Sequence, residues 1–231
     1  MEEFTRSEIL LGSTAMEKLK NSKVIVFGAG GVGSYVCEAL ARSGIGAITV
    51  VDNDTVSLSN INRQLIAYHS TVGMAKVDVV KERILDINPN CNVMALKLFY
   101  LPETSDKIDL SEYDYIIDAV DTVTAKLDII CRADKLGIPV ISSMGTGNKL
   151  DAEQLTITDI YKTAVCPLSR VMRRELKVRG IKKLTVLYSP EETVKPDSHD
   201  QRTPGSVAFV PSVAGLLIGG YVVKDIIKRG V

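Results

Sequence analysis

The sequence predicts an α/β fold: a Rossmann-like, mostly parallel sheet flanked by helices and extended by antiparallel strands in its C-terminal third. Three observations predict it. The stretch 23–34, Lys-Val-Ile-Val-Phe-Gly-Ala-Gly-Gly-Val-Gly-Ser, is five residues of buried strand, a glycine turn and the opening of a helix. A second strand, 47–51, ends in Asp52, nineteen residues past Gly33, where a ribose-binding acid belongs in a βαβ unit. Strand and helix patterns then alternate up to residue 142, as in a parallel sheet with crossover helices.

The bulk numbers set limits. The chain has 231 residues, 45% hydrophobic and 24% charged, with 28 basic and 28 acidic residues. A net charge of zero exerts no global pull toward nucleic acid or membrane, so any such attraction must come from a local patch. Cys37, Cys91, Cys131 and Cys166 are scattered with no C-x-x-C pair, which argues against a structural zinc and a disulfide framework. The charged start, Met-Glu-Glu-Phe-Thr-Arg6, has no signal-peptide core. The apolar run 207–223 is broken by Pro211 and glycines and reads as a buried helix rather than a membrane span. No membrane partner is expected, and the expected compartment is the cytoplasm.

In chain order, residues 1–22 carry a helical pattern (Ile9, Leu10, Met16, Leu19), and Arg6 has no local partner for its charge. In the turn after the first strand, Gly28, Gly30 and Gly33 keep G-x-G-x-x-G spacing and Gly31 adds a fourth glycine. One glycine makes the turn, one admits backbone to a phosphate, one lets helix pack on strand, and the helix N-terminus offers free N–H groups. The helix spans 34–43 and stops at Gly44. A ligand-free tight turn is the alternative to a nucleotide site.

Asp52 opens a long polar segment, Asn53-Asp54-Thr-Val-Ser-Leu-Ser59-Asn60-Ile-Asn62-Arg63-Gln64. A guanidinium fork suits phosphate oxygens, and side-chain amides orient them. Gly73-Met-Ala-Lys76 then opens a helix over 76–87, stopped by Pro89. A lysine in a first turn opposes the helix dipole unless an anion answers it; a surface lysine is the other reading. A third strand (92–98) and a polar linker (102–110) lead to a fourth strand (113–117) ending in Asp118-Ala-Val-Asp121-Thr122. In a doubly wound sheet the first and fourth strands are neighbours, which places Asp121 across the crevice from the glycine turn. A carboxylate facing a polyphosphate implies Mg²⁺ between them; a helix cap is the alternative.

A helix (124–136) and a strand (138–142) complete the alternation, followed by Ser143-Met-Gly-Thr-Gly147. Short strands at 154–159 and 184–188 predict the antiparallel extension, and residues 190–206 read as a loop. Between Lys162 and Lys183 eight basic residues face one acid, Glu175. Leu168, Val171, Met172 and Leu176 form the apolar stripe of a helix there, leaving Arg170, Arg173, Arg174 and Lys177 for a phosphate backbone, or for water alone. Cys166 precedes that helix as a bystander, or as a thiol activated by its N-terminus. His69 and His199 lie in polar loops and take no role.

Together, Gly28-Ala-Gly-Gly-Val-Gly33, Asp52-Asn-Asp54, Ser59-Asn-Ile-Asn-Arg-Gln64, Gly73-Met-Ala-Lys76 and Asp118-Ala-Val-Asp121 resemble the ThiF/MoeB/HesA group of carboxylate-adenylating enzymes within the ubiquitin-activating-enzyme-like superfamily. In the second half, 141–150, Asp159-Ile-Tyr-Lys-Thr163, Val165-Cys-Pro-Leu168 and 170–176 resemble the tRNA threonylcarbamoyladenosine dehydratases. The resemblance implies one adenylating domain over 1–231, with a nucleotide-binding half (1–150) and a substrate-facing half (151–231) closed by a helix at 212–227. It implies ATP-dependent activation of the threonyl carboxylate as an acyl-adenylate, ring closure, release of AMP and net loss of water. ATP and Mg²⁺ are the implied cofactors. Gly28, Gly30, Gly31 and Gly33 would hold phosphates, Asp52 the ribose, and Asp121 with Thr122 the metal end. Asp54, Ser59, Asn60, Asn62, Arg63 and Lys76 would complete the nucleotide site. Arg63, Lys76, Asp121 and an Arg6 reaching in from a second copy would be catalytic, which implies a homodimer. The implied macromolecular partner is tRNA carrying threonylcarbamoyladenosine next to the anticodon, with a sulfur-relay protein as a further candidate. The sequence lacks the two C-x-x-C pairs of the sulfur-carrier activators, which disfavours the alternative of adenylating the C-terminal Gly-Gly of a ubiquitin-like protein. A nicotinamide dehydrogenase or nucleotide sensor would use the glycines and Asp52 but leave Arg63, Lys76 and Asp121 without work.

Overall fold

A computed structural model describes residues 2–194 and 204–229; Pro196 and His199 lie outside the described residues. Seven strands form one sheet in the order β3-β2-β1-β4-β5-β7-β6. They are β1 Lys23–Phe27, β2 Ala47–Val51, β3 Asn92–Leu96, β4 Tyr115–Asp118, β5 Val140–Ser143, β6 Thr156–Asp159 and β7 Thr185–Tyr188. β1 pairs in parallel with both β2 and β4, so the first and fourth strands are neighbours as expected. The expected antiparallel extension is the pair β6–β7. β7 runs parallel to β5, and only the edge strand β6 reverses, against β7. The end of β6 lies beside the start of β7, where the Ile160 N–H donates to the Leu184 carbonyl, so helix α6 (Pro167–Val178) is inserted between two strands paired like a hairpin, and β7 enters the sheet between β5 and β6.

The helices form two layers. α2 (Ser13–Asn21), α3 (Gly33–Arg42), α4 (Lys76–Ile87) and α7 (Phe209–Arg229) cover one face over Val24, Val26, Ile48 and Val50. α5 (Val123–Leu136) and the turns around 100–113 cover the other face over Ile25, Phe27 and Ile116. The strands are therefore buried on both sides and read as continuous apolar runs. Strand ends differ from expectation near the site. β3 stops at Leu96 and β4 starts at Tyr115, because Tyr100 leaves the sheet to pack edge-on against Phe27 at 4.7 Å between centroids, and Tyr113 turns its hydroxyl to Thr49.

The N-terminal pattern is two helices, α1 (Thr5–Leu11) and α2, with Gly12 between them. Leu19 is buried, whereas Ile9 and Leu10 are exposed; α1 does not join the core. α7 is long and apolar enough to cross a membrane, and half of its most apolar window is buried within the protein. Its glycines are packing residues. A Cβ on Gly215 would lie 2.4 Å from the Val32 carbonyl oxygen, and one on Gly219 2.5 Å from the Ala39 Cβ, so α7 can lie this close to α3 only with glycine there.

Candidate nucleotide site

At the carboxyl ends of β1, β2, β4 and β5 the chain leaves a cleft of about 540 Å³, the place where doubly wound sheets hold ligands. The glycine turn forms its floor. Gly28 has φ +93°, and a Cβ there would lie 2.6 Å from the Ala119 carbonyl oxygen. Gly33 does not line the cleft; a Cβ on it would meet the Gly28 carbonyl oxygen at 1.8 Å, so its work is to let α3 start directly against the turn. Gly30 and Gly31 do line the cleft.

Asp52 sits at the end of β2 and is fixed by backbone. One carboxylate oxygen accepts from the Ala29 N–H at 2.7 Å and the other from the Asp54 N–H at 2.8 Å. The acid therefore braces the glycine turn while lining the cleft. Asp54 is ion-paired with Lys76 at 2.7 Å; the Lys76 side chain is 6% exposed and that of Asp54 58%. Lys76 thus points its ammonium from the start of α4 into the cleft lining rather than into solvent, which sets aside the surface-lysine reading. Arg63 lines the same wall, its guanidinium held by the Ser59 carbonyl and the Asn62 side-chain oxygen, each at 2.8 Å. Ser59 and Asn62 accordingly do not line the cleft; they aim Arg63, and Asn62 also donates to the Ser206 carbonyl at 2.9 Å. Asn60 lines the cleft and accepts from the Ser57 N–H at 3.1 Å.

Asp121 and Thr122 stand on the opposite lip, in the turn from β4 into α5. Among the described residues Asp121 accepts only from the Thr122 hydroxyl, at 3.3 Å, and Thr122 caps α5 without a side-chain cap bond. Of the three carboxylates that line the cleft among the described residues, Asp121 alone has neither a cation nor a backbone N–H among those residues as a partner. That donor fits Mg²⁺, which takes one or two carboxylates and fills its remaining positions with substrate phosphates and water. No group of three His, Cys, Asp or Glu suited to a metal ion occurs among the described residues.

Beneath this lip lies a feature to which the sequence reading gave no role. Lys126 and Asp118 are both fully buried and ion-paired at 2.9 Å, with the Ser142 hydroxyl donating to the same Asp118 oxygen at 2.5 Å. The other Asp118 oxygen accepts from the Val120 N–H, so a buried charge pair sets the turn that carries Asp121. Other lining residues were also unassigned: Gln64, Leu98–Tyr100, Ser143–Gly147, Leu168 and Pro211. Tyr100 is fixed by donating its hydroxyl to Asp128 at 2.6 Å and accepting from Arg132 at 2.8 Å. Burial, with that carboxylate beside it, pushes the phenol above its ordinary range, which keeps it a neutral donor. The glycine-rich stretch 143–147 and the terminal Gln64 of the polar segment were visible signals.

Two sequence expectations for the basic helix need correction. Val171 is 38% exposed; the buried face of α6 is Ser169, Met172 and Leu176, which follow the helical period. Arg173 is half-buried and donates to the Thr163 carbonyl at 2.9 Å and to the Thr163 hydroxyl, so it ties α6 to the preceding loop rather than facing outward. Arg170, Arg174 and Lys177 do share an exposed face. Cys166 is buried in the α5–α6 core, in keeping with the bystander reading. Arg6 lies on α1, exposed and outside the cleft lining.

The model of the ThiF family matches residues 4–230. The tRNA threonylcarbamoyladenosine dehydratase of Bacillus subtilis is 46% identical over 99% of this chain and 96% of that protein. The enzyme of the same name from Escherichia coli is 41% identical over 82% of this chain and 74% of its own length. Among solved structures, E. coli tRNA N6-threonylcarbamoyladenosine dehydratase, TcdA, in complex with AMP superposes with a TM-score of 0.93 at 34% identity, covering 99% of this chain and 95% of that one. The same enzyme in complex with ATP gives 0.89 at 32% identity. The adenylyltransferase and sulfurtransferase UBA4 of Vanderwaltozyma polyspora matches 64% of this chain but 33% of its own length.

Proposed function

The chain belongs to the ThiF family, and on that premise we propose that it dehydrates N6-threonylcarbamoyladenosine in tRNA at the expense of ATP. The observation that carries this reading over activation of a sulfur-carrier protein is coverage: the likeness to a dehydratase runs the length of both chains, whereas the UBA4 likeness does not.

The threonyl carboxylate attacks the α-phosphorus of ATP, and pyrophosphate leaves. The ureido oxygen of the same side chain then attacks the activated carbonyl, closing the oxazolone ring with release of AMP and a proton. In this reading the glycine turn and Asp52 position the nucleotide, and Arg63 and Lys76 answer the charge that grows as pyrophosphate departs. Among the described residues the cleft's charged lining is Asp52, Asp54 and Asp121 against Arg63 and Lys76, one negative charge in excess. A triphosphate therefore needs further positive charge. Asp121 would hold Mg²⁺, which supplies charge neutralisation on the phosphates. Arg6, too far from its own cleft to line it, would supply a guanidinium to the site of a second copy, making the working unit a homodimer. The face Arg170, Arg174 and Lys177 would meet the RNA backbone, in a single adenylating domain whose first 150 residues hold ATP and whose remainder faces the substrate. A cytoplasmic location would go with action on tRNA.

Incubation with ATP, Mg²⁺ and threonylcarbamoylated tRNA, followed by nucleoside mass spectrometry, should show loss of one water from the modified nucleoside and stoichiometric AMP. An unchanged nucleoside with no AMP would refute the reading.

A further inference from the structure

We propose that the groove between α5 and α6 is a second subsite for the RNA, holding the base of the nucleotide that flanks the modified adenosine. It rests on the tRNA reading above and extends it to the substrate's neighbouring residue.

The groove measures about 500 Å³, and its lining neighbours that of the nucleotide cleft along the chain. The two meet at the first turn of α5, where Asp121 and Thr122 line the cleft and Val123 and Thr124 line the groove. Tyr100 and Pro102 on one side, and Leu168 and Val171 on the other, mark the same passage. Its wall is mostly apolar, Val123, Leu127, Cys131 and Val171, and also carries Asp128, which accepts from the Tyr100 hydroxyl. Its rim is two guanidinium planes held by one carboxylate. Arg174 donates through Nε and Nη2 to one Glu175 oxygen at 3.1 and 2.9 Å. Arg179 donates through Nη1 to the other oxygen and to the Glu175 carbonyl, at 2.9 and 2.8 Å. The Arg179 and Arg174 bonds keep the Glu175 carboxyl below its ordinary range, so the clamp stays charged at neutral pH. The Thr124 hydroxyl on the far side makes no hydrogen bond among the described residues.

A mostly apolar wall, guanidinium planes paired with Glu175 and the unbonded Thr124 hydroxyl suit an unstacked nucleobase. Single-stranded RNA is read by splaying bases out, stacking them on guanidinium planes and bonding their edges. Connectivity supplies the occupant. The modified adenosine is bonded to a nucleotide on each side, so an RNA presenting its threonyl carboxylate to the cleft brings a neighbour within one nucleotide of the mouth. Arg170 and Lys177, exposed on α6 outside the groove, would take the adjoining phosphates.

The test uses threonylcarbamoylated tRNA intact, or with an abasic site at the 5′ or the 3′ neighbour of the modified adenosine. Each is assayed for AMP release with the wild-type protein and with Val171→Glu, an exposed position whose side chain is outside the core. Val171→Trp fills the groove without adding charge and serves as the second variant. AMP affinity, measured by calorimetry, should be unchanged in both. With wild type, one abasic tRNA should lose about 5- to 150-fold in kcat/KM, the range for one stacked base. Each variant should show a similar loss on intact tRNA and little more on that abasic tRNA. Full activity of wild type on both abasic tRNAs would overturn the subsite while leaving the dehydratase reading intact, and so would losses that simply multiply. No AMP from wild type and intact tRNA would sink the function itself, and the subsite with it.

Discussion

Replacing Lys126 with methionine tests whether the lip of the cleft is set by a buried charge pair. The ammonium and the Asp118 carboxylate are both fully buried, 2.9 Å apart, and Ser142 is the other side chain bonded to that carboxylate oxygen. Methionine keeps most of the volume, so the change leaves a buried anion rather than a cavity. Removing one partner of such a pair costs about 3–5 kcal/mol. For a chain of this length that is a fall in Tm of about 6–20 °C. Lys126→Met with Asp118→Asn removes both charges and should recover most of the loss, since a buried pair replaced as a unit is often nearly neutral. Thermal and urea unfolding of the three proteins checks the sequence of stabilities. The single variant should also bind AMP more weakly, because Asp118 holds the Val120 N–H and through it the turn to Asp121. A single variant within about 1 kcal/mol of wild type, or a double variant no better than the single, would refute the assignment.

Asp121 is exposed, so Asp121→Ala should leave unfolding free energy within about 0.5 kcal/mol of wild type while abolishing AMP release with tRNA; retained turnover removes it from the mechanism. Arg170→Gln, Arg174→Gln and Lys177→Gln combined should flatten the slope of log affinity for tRNA against log salt by about 2, and an unchanged slope returns that face to simple solvation. An inactive Arg6→Ala chain mixed with an inactive Asp121→Ala chain should regain activity if Arg6 serves a second copy's site, and no recovery in exchanged mixtures excludes it. A thiol reagent should label the half-buried Cys131 in the native protein and reach Cys37, Cys91 and Cys166 only on unfolding. Burial pushes the Cys37 thiol up to about 12 and the Cys91 thiol to about 11, so both remain protonated thiols through pH 9; equal labelling of all four in the folded state would contradict the packing.

The nucleotide half was legible because its signals are local. A glycine whose Cβ would sit 1.8 Å from a carbonyl oxygen, and a lysine in a first turn, each state their requirement within a few residues. The buried Lys126 was illegible for the opposite reason. Its partners are eight and sixteen residues away on two strands, and a lysine inside an amphipathic helix reads as solvent-facing until the sheet order is known. Val171 and Arg173 fail similarly: an apolar residue on α6 was assigned to the stripe and a basic one to the outer face. The helix instead buries Ser169, Met172 and Leu176 and turns Arg173 onto Thr163. That β7 runs parallel to β5 depended on the chain re-entering the sheet between β5 and β6 after α6, which no local pattern encodes.

A glycine turn with an acid at the end of the next strand does not by itself distinguish a dinucleotide from a triphosphate. Both offer a ribose and at least two phosphates. The distinction lies in what the remaining cations are fixed to. Lys76 is almost fully buried yet paired only with a half-exposed carboxylate, Asp54, and Arg63 is held on its inner side by the Ser59 carbonyl and the Asn62 amide oxygen. Charges preorganised in this way gain most when an anion develops in front of them, because no reorganisation remains to be done at that moment. A dehydrogenase moves a hydride to a ring far from its phosphates and has no use for a guanidinium and an ammonium facing one unpaired carboxylate. Transfer of an adenylyl group, in which pyrophosphate must leave as a polyanion, needs that arrangement. The unpaired state of Asp121 is therefore the strongest local argument for adenylation.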